Sequence, residues 1–144
     1  MDGSYQAIQA TKPQTLSYGL NDSPVGLAAW IIEKFRAWSD CGGDVERQFS
    51  KDDLLTNIML YWATETITTS MRDYFENRWL SSPLGPLEVV TVPTAVAVFA
   101  YQFVSDGTPP RVWGERLYPI CQWTEMPRGA HFAPAEEPEL LARY

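Results

Sequence analysis

His131 is the only histidine of the chain, and it lies in a segment suited to presenting a side chain. An apolar run, Ile120-Cys-Gln-Trp-Thr, precedes it and reads as a strand. Gly129 then breaks the chain. Glu136-Glu-Pro-Glu-Leu-Leu-Ala opens a helix, with acidic residues in the first turn where the macrodipole favours them. A histidine on a loop between strand and helix can point out of a rigid scaffold toward a cleft. Taken alone, a lone histidine is structural more often than catalytic. Other chemistry is sparse. With one histidine and no Cys-x-x-Cys, a zinc site is not expected, and no cofactor is called for. No Gly-x-Ser-x-Gly or small-x-Asp-x-small elbow occurs to hold a nucleophile.

Several elements must position that histidine. Ser23-Pro24 is a helix start, since serine caps and proline suits the first turn. From there Leu27, Trp30, Ile31, Lys34, Phe35 and Trp38 follow an amphipathic period, stopped by Gly42-Gly43. Ser50-Lys-Asp-Asp53 reads as a capping-box variant opening a second helix through Leu54, Leu55, Ile58, Met59 and Trp62. Ile67, Met71, Tyr74 and Phe75 mark a third. The plainest account of these stripes is helix packing.

The first 18 residues are polar, and Lys12-Pro13 disfavours helix at that point. Ser81-Ser-Pro-Leu-Gly-Pro86 reads as a connector between a helical front, residues 1–80, and a mixed rear, residues 81–144. In the rear, the Val-rich end of Val89–Phe99 is apolar without alternation, as in a parallel strand covered on both faces. Ser105-Asp-Gly-Thr-Pro-Pro110 is a turn, and Asp106 has the simple reading of turn chemistry. Arg111 to Tyr118 suits a short helix.

At 144 residues the chain has no room for a second domain of ordinary size. Hydrophobic content of 45% with six Trp describes a globular protein with a substantial core. A net charge of −7 argues against nucleic acid or anionic membrane as partner. No run is long and apolar enough to span a bilayer, and no secretory signal pattern opens the chain. Cys41 and Cys121 read as free thiols of a reducing compartment, so a cytoplasmic protein is expected.

The wording around His131 narrows this picture. Pro127-Arg-Gly-Ala-His-Phe with Glu136-Glu-Pro-Glu-Leu-Leu-Ala resembles the end of α/β-hydrolase-fold epoxide hydrolases of the microsomal type. Ile8-Gln-Ala-Thr-Lys-Pro-Gln-Thr, Gly19-Leu-Asn-Asp-Ser-Pro-Val-Gly through Phe35, Asp53-Leu-Leu-Thr-Asn and Tyr61-Trp-Ala-Thr resemble the same family. The resemblance covers nearly the whole chain. It implies an α/β class with an incomplete α/β-hydrolase fold: a helical lid segment followed by two parallel strands with flanking helices.

The family's reaction, carried over by resemblance, adds water to an epoxide through a covalent ester. An aspartate attacks the epoxide carbon while two lid tyrosines donate to the opening oxygen. A histidine backed by an acid then activates water against the ester. His131 matches the base. Tyr74, in Met71-Arg-Asp-Tyr-Phe-Glu-Asn77, matches the second lid tyrosine. The nucleophile elbow, the oxyanion loop and the first lid tyrosine would lie before Met1. Gln102, in Val98-Phe99-Ala100-Tyr101-Gln102, occupies the acid's place, and Ala100 replaces a proline. A neutral amide can orient an imidazole but cannot balance imidazolium charge; the corresponding change in serine-protease triads costs about 10⁴ in turnover. Asp106 is the nearest substitute acid. Ala130 and Glu65 stand where the family carries glycine.

The expected function is therefore that of an epoxide hydrolase-like protein, inactive as an isolated chain. Its substrate would be a small apolar epoxide once an upstream half completes the site, and an exposed strand edge could drive self-association. The alternative is a non-catalytic remnant or binding module of the same family. A dehalogenase of the same fold is a third reading, against which Gly19-Leu-Asn-Asp-Ser-Pro-Val-Gly argues.

Overall fold

The computed structural model describes residues 3–78, 89–102 and 107–144. The connector expected at residues 81–86 lies outside them. Helix begins earlier than the Ser23-Pro24 start that the sequence marks. Helices α1 (Gly3–Thr11) and α2 (Pro13–Asp22) occupy the polar segment that opens the chain. Lys12 does interrupt the helical path, at φ −136°, because the following proline crowds its backbone. Pro13 then serves α2 as a first-turn residue.

Helix α3 (Pro24–Trp38) starts where Ser23 predicts: its hydroxyl accepts the Gly26 N–H at 3.0 Å. A short 3-10 turn at Val45–Arg47 leads to α4 (Lys51–Thr64). The capping box is complete, with the Asp53 N–H donating to Ser50 and the Ser50 N–H to the Asp53 carboxylate. Helix α5 (Ile67–Asn77) follows after Glu65, which adopts a left-handed φ of 54°.

These helices close around Leu20, Leu27, Ile58, Ile67 and Met71, with Leu16, Trp30, Ile31, Tyr61 and Trp62 packed against that cluster. Leu27 and Met71 are fully buried, and each stabilises the front by about 1.5–3 kcal/mol through lost apolar surface.

The rear holds two parallel strands, β1 (Thr94–Val98) and β2 (Ile120–Glu125), with a register shift between Thr94 and Ala95. The parallel pairing requires a crossover, and α6 (Arg111–Gly114) lies on it. This helix is shorter than the expected span from Arg111 to Tyr118. Gly114 packs against β2, where a Cβ would meet Ile120 at 2.9 Å. The chain ends in α7 (Ala133–Glu136) and α8 (Pro138–Ala142). The helix expected from Glu136 starts two residues later, and a separate helical turn, α7, precedes it. Pro138 begins α8, and Glu137 before it is pushed out of helical geometry to φ −137°.

Front and rear meet at the end of α3. There Asp40, Glu136 and Gly129 interlock: the Asp40 N–H donates to Glu136 at 2.7 Å, and the Gly129 N–H donates to the Asp40 carboxylate at 3.1 Å.

Candidate active site

His131 sits on a turn between β2 and α7, with its side chain exposed. The turn is fixed from three sides. Its own N–H donates to the Trp38 carbonyl at 3.1 Å. Glu136 is buried and takes the Phe132 N–H at 2.9 Å with one oxygen while the other holds Asp40. Gly129 turns at φ 94°, close enough to Phe99 that only glycine fits. Ala130, beside it, is buried without a positive φ, so its departure from the family's glycine costs the turn no backbone strain.

The imidazole lies edge-on to Trp38 at 5.2 Å and to Phe132 at 5.0 Å. On one side opens a groove of ≈ 580 Å³ lined by Phe35, Phe49, Asp53, Leu54, Asn57, His131 and Phe132, among others. Phe35 and Phe132 stack at 4.4 Å along it. Trp38 leads in the other direction, toward Tyr5. The two rings meet edge-on at 5.2 Å, and Tyr5 meets Tyr74 edge-on at 6.0 Å. A continuous aromatic path therefore joins His131 to Tyr74 through Trp38 and Tyr5.

The Tyr5 hydroxyl belongs to a half-buried side chain that faces Tyr74. Burial pushes it above the ordinary tyrosine value of 10.0, with Tyr74 adding to the rise. The resemblance placed the first lid tyrosine ahead of Met1, yet α1 supplies a candidate within the chain. Tyr5 lies three residues before the Ile8-Gln-Ala-Thr-Lys-Pro stretch and carries no motif of its own. Only the fold of α1 against α5 brings it to Tyr74.

Gln102 follows β1. Its amide donates to the Phe99 carbonyl at 2.7 Å, folding back on its own loop. That loop is tied to the histidine's loop, since the Tyr101 N–H donates to the Gly129 carbonyl at 3.0 Å. Asp106, the candidate substitute acid, lies outside the described residues. Among the described residues no group of three His, Cys, Asp or Glu side chains could hold a metal ion. No helix among them is long and apolar enough to cross a membrane.

Known enzymes are similar to this chain over nearly its whole length. Epoxide hydrolase 1 of Oryctolagus cuniculus is 46% identical over 151 residues, covering 99% of this chain. Juvenile hormone epoxide hydrolase 2 of Ctenocephalides felis is 44% identical over 98% of it. The crystal structure of juvenile hormone epoxide hydrolase from Bombyx mori superposes with a TM-score of 0.88 over 99% of the chain, at 36% identity. This chain is a relative of the epoxide hydrolases. It matches their C-terminal part and has a partial α/β-hydrolase fold. The Aspergillus niger epoxide hydrolase structure agrees at a TM-score of 0.77 and 27% identity over 98% of the chain. No family model matches. The epoxide hydrolase-like chain spans about a third of the length of these relatives: 32% of each of the two named sequences, and 35% and 34% of the two structures.

Proposed function

We propose that this chain furnishes the water-activating and oxygen-donating part of an epoxide hydrolase site. The observation that carries the reading is the path Tyr74–Tyr5–Trp38–His131. It groups two phenolic donors and one base around shared aromatic contacts. In such a site a carboxylate from outside this chain attacks the epoxide carbon, forming a C–O ester bond as the ring C–O bond breaks. Tyr5 and Tyr74 donate to the oxygen as it gains charge. His131 then takes a proton from water, which attacks the ester. On this reading residues 1–80 act as the rear of the lid and residues 81–144 as the last part of the core. The substrate is a small apolar epoxide, suited to the aromatic surroundings.

Joining this chain to the preceding two-thirds of the rabbit enzyme tests it. Diol should form from styrene oxide, and His131→Ala should abolish turnover. In that chimera Gln102→Glu should speed ester breakdown, because a carboxylate stabilises the imidazolium as it forms. Diol formation undiminished in His131→Ala would overturn the reading. No gain from Gln102→Glu, with a loss from Asp106→Asn, would assign the acid to Asp106. The second reading, a non-catalytic module of the same family, is favoured by one observation: the Gln102 amide is engaged by the Phe99 carbonyl at the position where an acid would serve. A chimera that folds and makes no diol even as Gln102→Glu would support it.

A further inference from the structure

We propose that Lys34 is a positioning residue for Tyr5, holding its ring in place and making its hydroxyl a stronger proton donor toward an oxygen acceptor. The inference rests on the reading of Tyr5 and Tyr74 as donors to the opening epoxide. Lys34 is 7% exposed, an unusual location for an ammonium group. Its Nζ lies 5.1 Å from the Tyr5 ring centre and 5.6 Å from that of Trp38. Both distances fall in the range where a cation is attracted by an aromatic face. The Glu33 carboxylate pairs with it at 2.5 Å from the more exposed side.

The cation therefore stands between the two rings that link Tyr74 to His131. Packing alone does not call for a charge there, since methionine would fill the space without desolvating an ammonium. What a charge adds appears when Tyr5 gives up its proton. As the epoxide C–O bond breaks, its electron pair on oxygen takes the Tyr5 proton, and the negative charge moves to Tyr5 Oη. An ammonium held against the same ring opposes the cost of that charge, and more strongly where water is excluded. Trp30, stacked on Tyr5 at 4.9 Å, closes another side of the ring.

The titratable groups facing Tyr5 are Tyr74 on α5, Tyr61 on α4, and Lys34 with its partner Glu33 on α3. The two tyrosines disfavour the ionised phenol and the Gln9 side chain favours it by hydrogen bonding, while Lys34 is the cation held against the ring. Titration of the chain labelled with [¹³Cζ]tyrosine, with Tyr5 assigned by its disappearance in Tyr5→Phe, reads this coupling directly. Lys34→Met should raise the Tyr5 midpoint by about one unit or more, and Lys34→Arg should restore it. Glu33→Gln removes only the exposed carboxylate, so it keeps the fold in hand should Lys34→Met unfold; it should lower the midpoint. Shifts of opposite sign in the two variants are the signature of the charge. An unchanged midpoint in either folded variant would overturn the role of Lys34. Benzamide, whose carbonyl accepts hydrogen bonds, separates the underlying reading. If it moves neither Tyr5 nor Tyr74 while the Lys34 coupling is present, the donor reading fails and the coupling stands.

Discussion

The Trp38 carbonyl accepts the backbone N–H of His131 at 3.1 Å, so the last residue of α3 fixes the turn that carries the base. The bond belongs to a small buried lattice centred on Glu136, whose two carboxylate oxygens satisfy the Asp40 and Phe132 N–H groups. Removing the carboxylate leaves two part-buried donors unpaired. Glu136→Ala should cost about 1–3 kcal/mol of stability, read by urea unfolding, and should loosen the turn, read as a change in the near-ultraviolet signal of Trp38. Unchanged stability would show that the lattice does not hold the turn.

Glu65 occupies a left-handed backbone position at φ 54°, capping α4 where the family carries glycine. The Cβ of glutamate is strained there, and among the described residues no side-chain bond of Glu65 accounts for the choice. Glu65→Gly should therefore stabilise the chain by about 1 kcal/mol, a direction opposite to most glycine substitutions. Thermal melts of the two proteins side by side decide it.

Gly129 is the opposite case. It turns at φ 94°, and a Cβ there would lie 2.8 Å from Phe99 Cδ1 and 3.1 Å from Glu137 Cγ. Gly129→Ala meets backbone strain and a clash together, and should cost about 2–4 kcal/mol. Equal stability of the variant and the parent in urea would mean that the loop has another conformation available.

The elements that local chemistry announces were legible in the sequence. Ser23-Pro24 and Ser50-x-x-Asp53 mark real caps; of the stripe Leu54, Leu55, Ile58, Met59 and Trp62, Leu54 and Ile58 are buried and Trp62 packs on the core, while Leu55 and Met59 face solvent. The motif around His131 indicated both the turn and the family. Two things were not legible. Helices α1 and α2 have few apolar residues, and their polar faces hide the few that pack, such as Leu20 and Pro13. Tyr5 meets Tyr74 only because α1 crosses α5, a relationship between segments about 70 residues apart that no local pattern encodes. The split at Pro138 was legible, since a proline constrains the residue before it; the apolar period of Leu140 and Leu141 outweighs that signal when the segment is read as one helix.

Tyr5 also predicts a pH dependence. Burial and then Tyr74 hold its hydroxyl above the ordinary value of 10.0, so folding favours the protonated phenol. The contribution is fully present below about pH 10, the value in the unfolded chain, and is lost as pH rises through the higher folded value. Tyr5→Phe carries no such group. Its stability should fall less steeply than that of the parent from about pH 10 upward, measured by urea unfolding at a series of alkaline pH values. Parallel curves would show that the phenol is not held against ionisation by the fold.

Among the described residues β1 and β2 form a sheet of two strands, and a pair this small is marginal by itself. Parallel strands are ordinarily flanked by further strands and covered on both faces. Here no β1 or β2 residue is fully buried. Around them Val92, Val112, Trp113 and Tyr118 are exposed, with Trp113 at 60%. Apolar surface of this kind, next to a strand with unpaired backbone groups, favours association with another chain. The helical front has its own buried cluster and should remain folded. Size-exclusion chromatography with light scattering should find the isolated chain oligomeric. Its thermal transition should be broad, because the rear loosens before the front. Val112→Lys with Trp113→Lys should shift the population toward monomer by placing charge on the patch, without disturbing the core around Leu27 and Met71. A sharp, concentration-independent transition of a monomer would mean that the two strands and α6 suffice as a core for the rear.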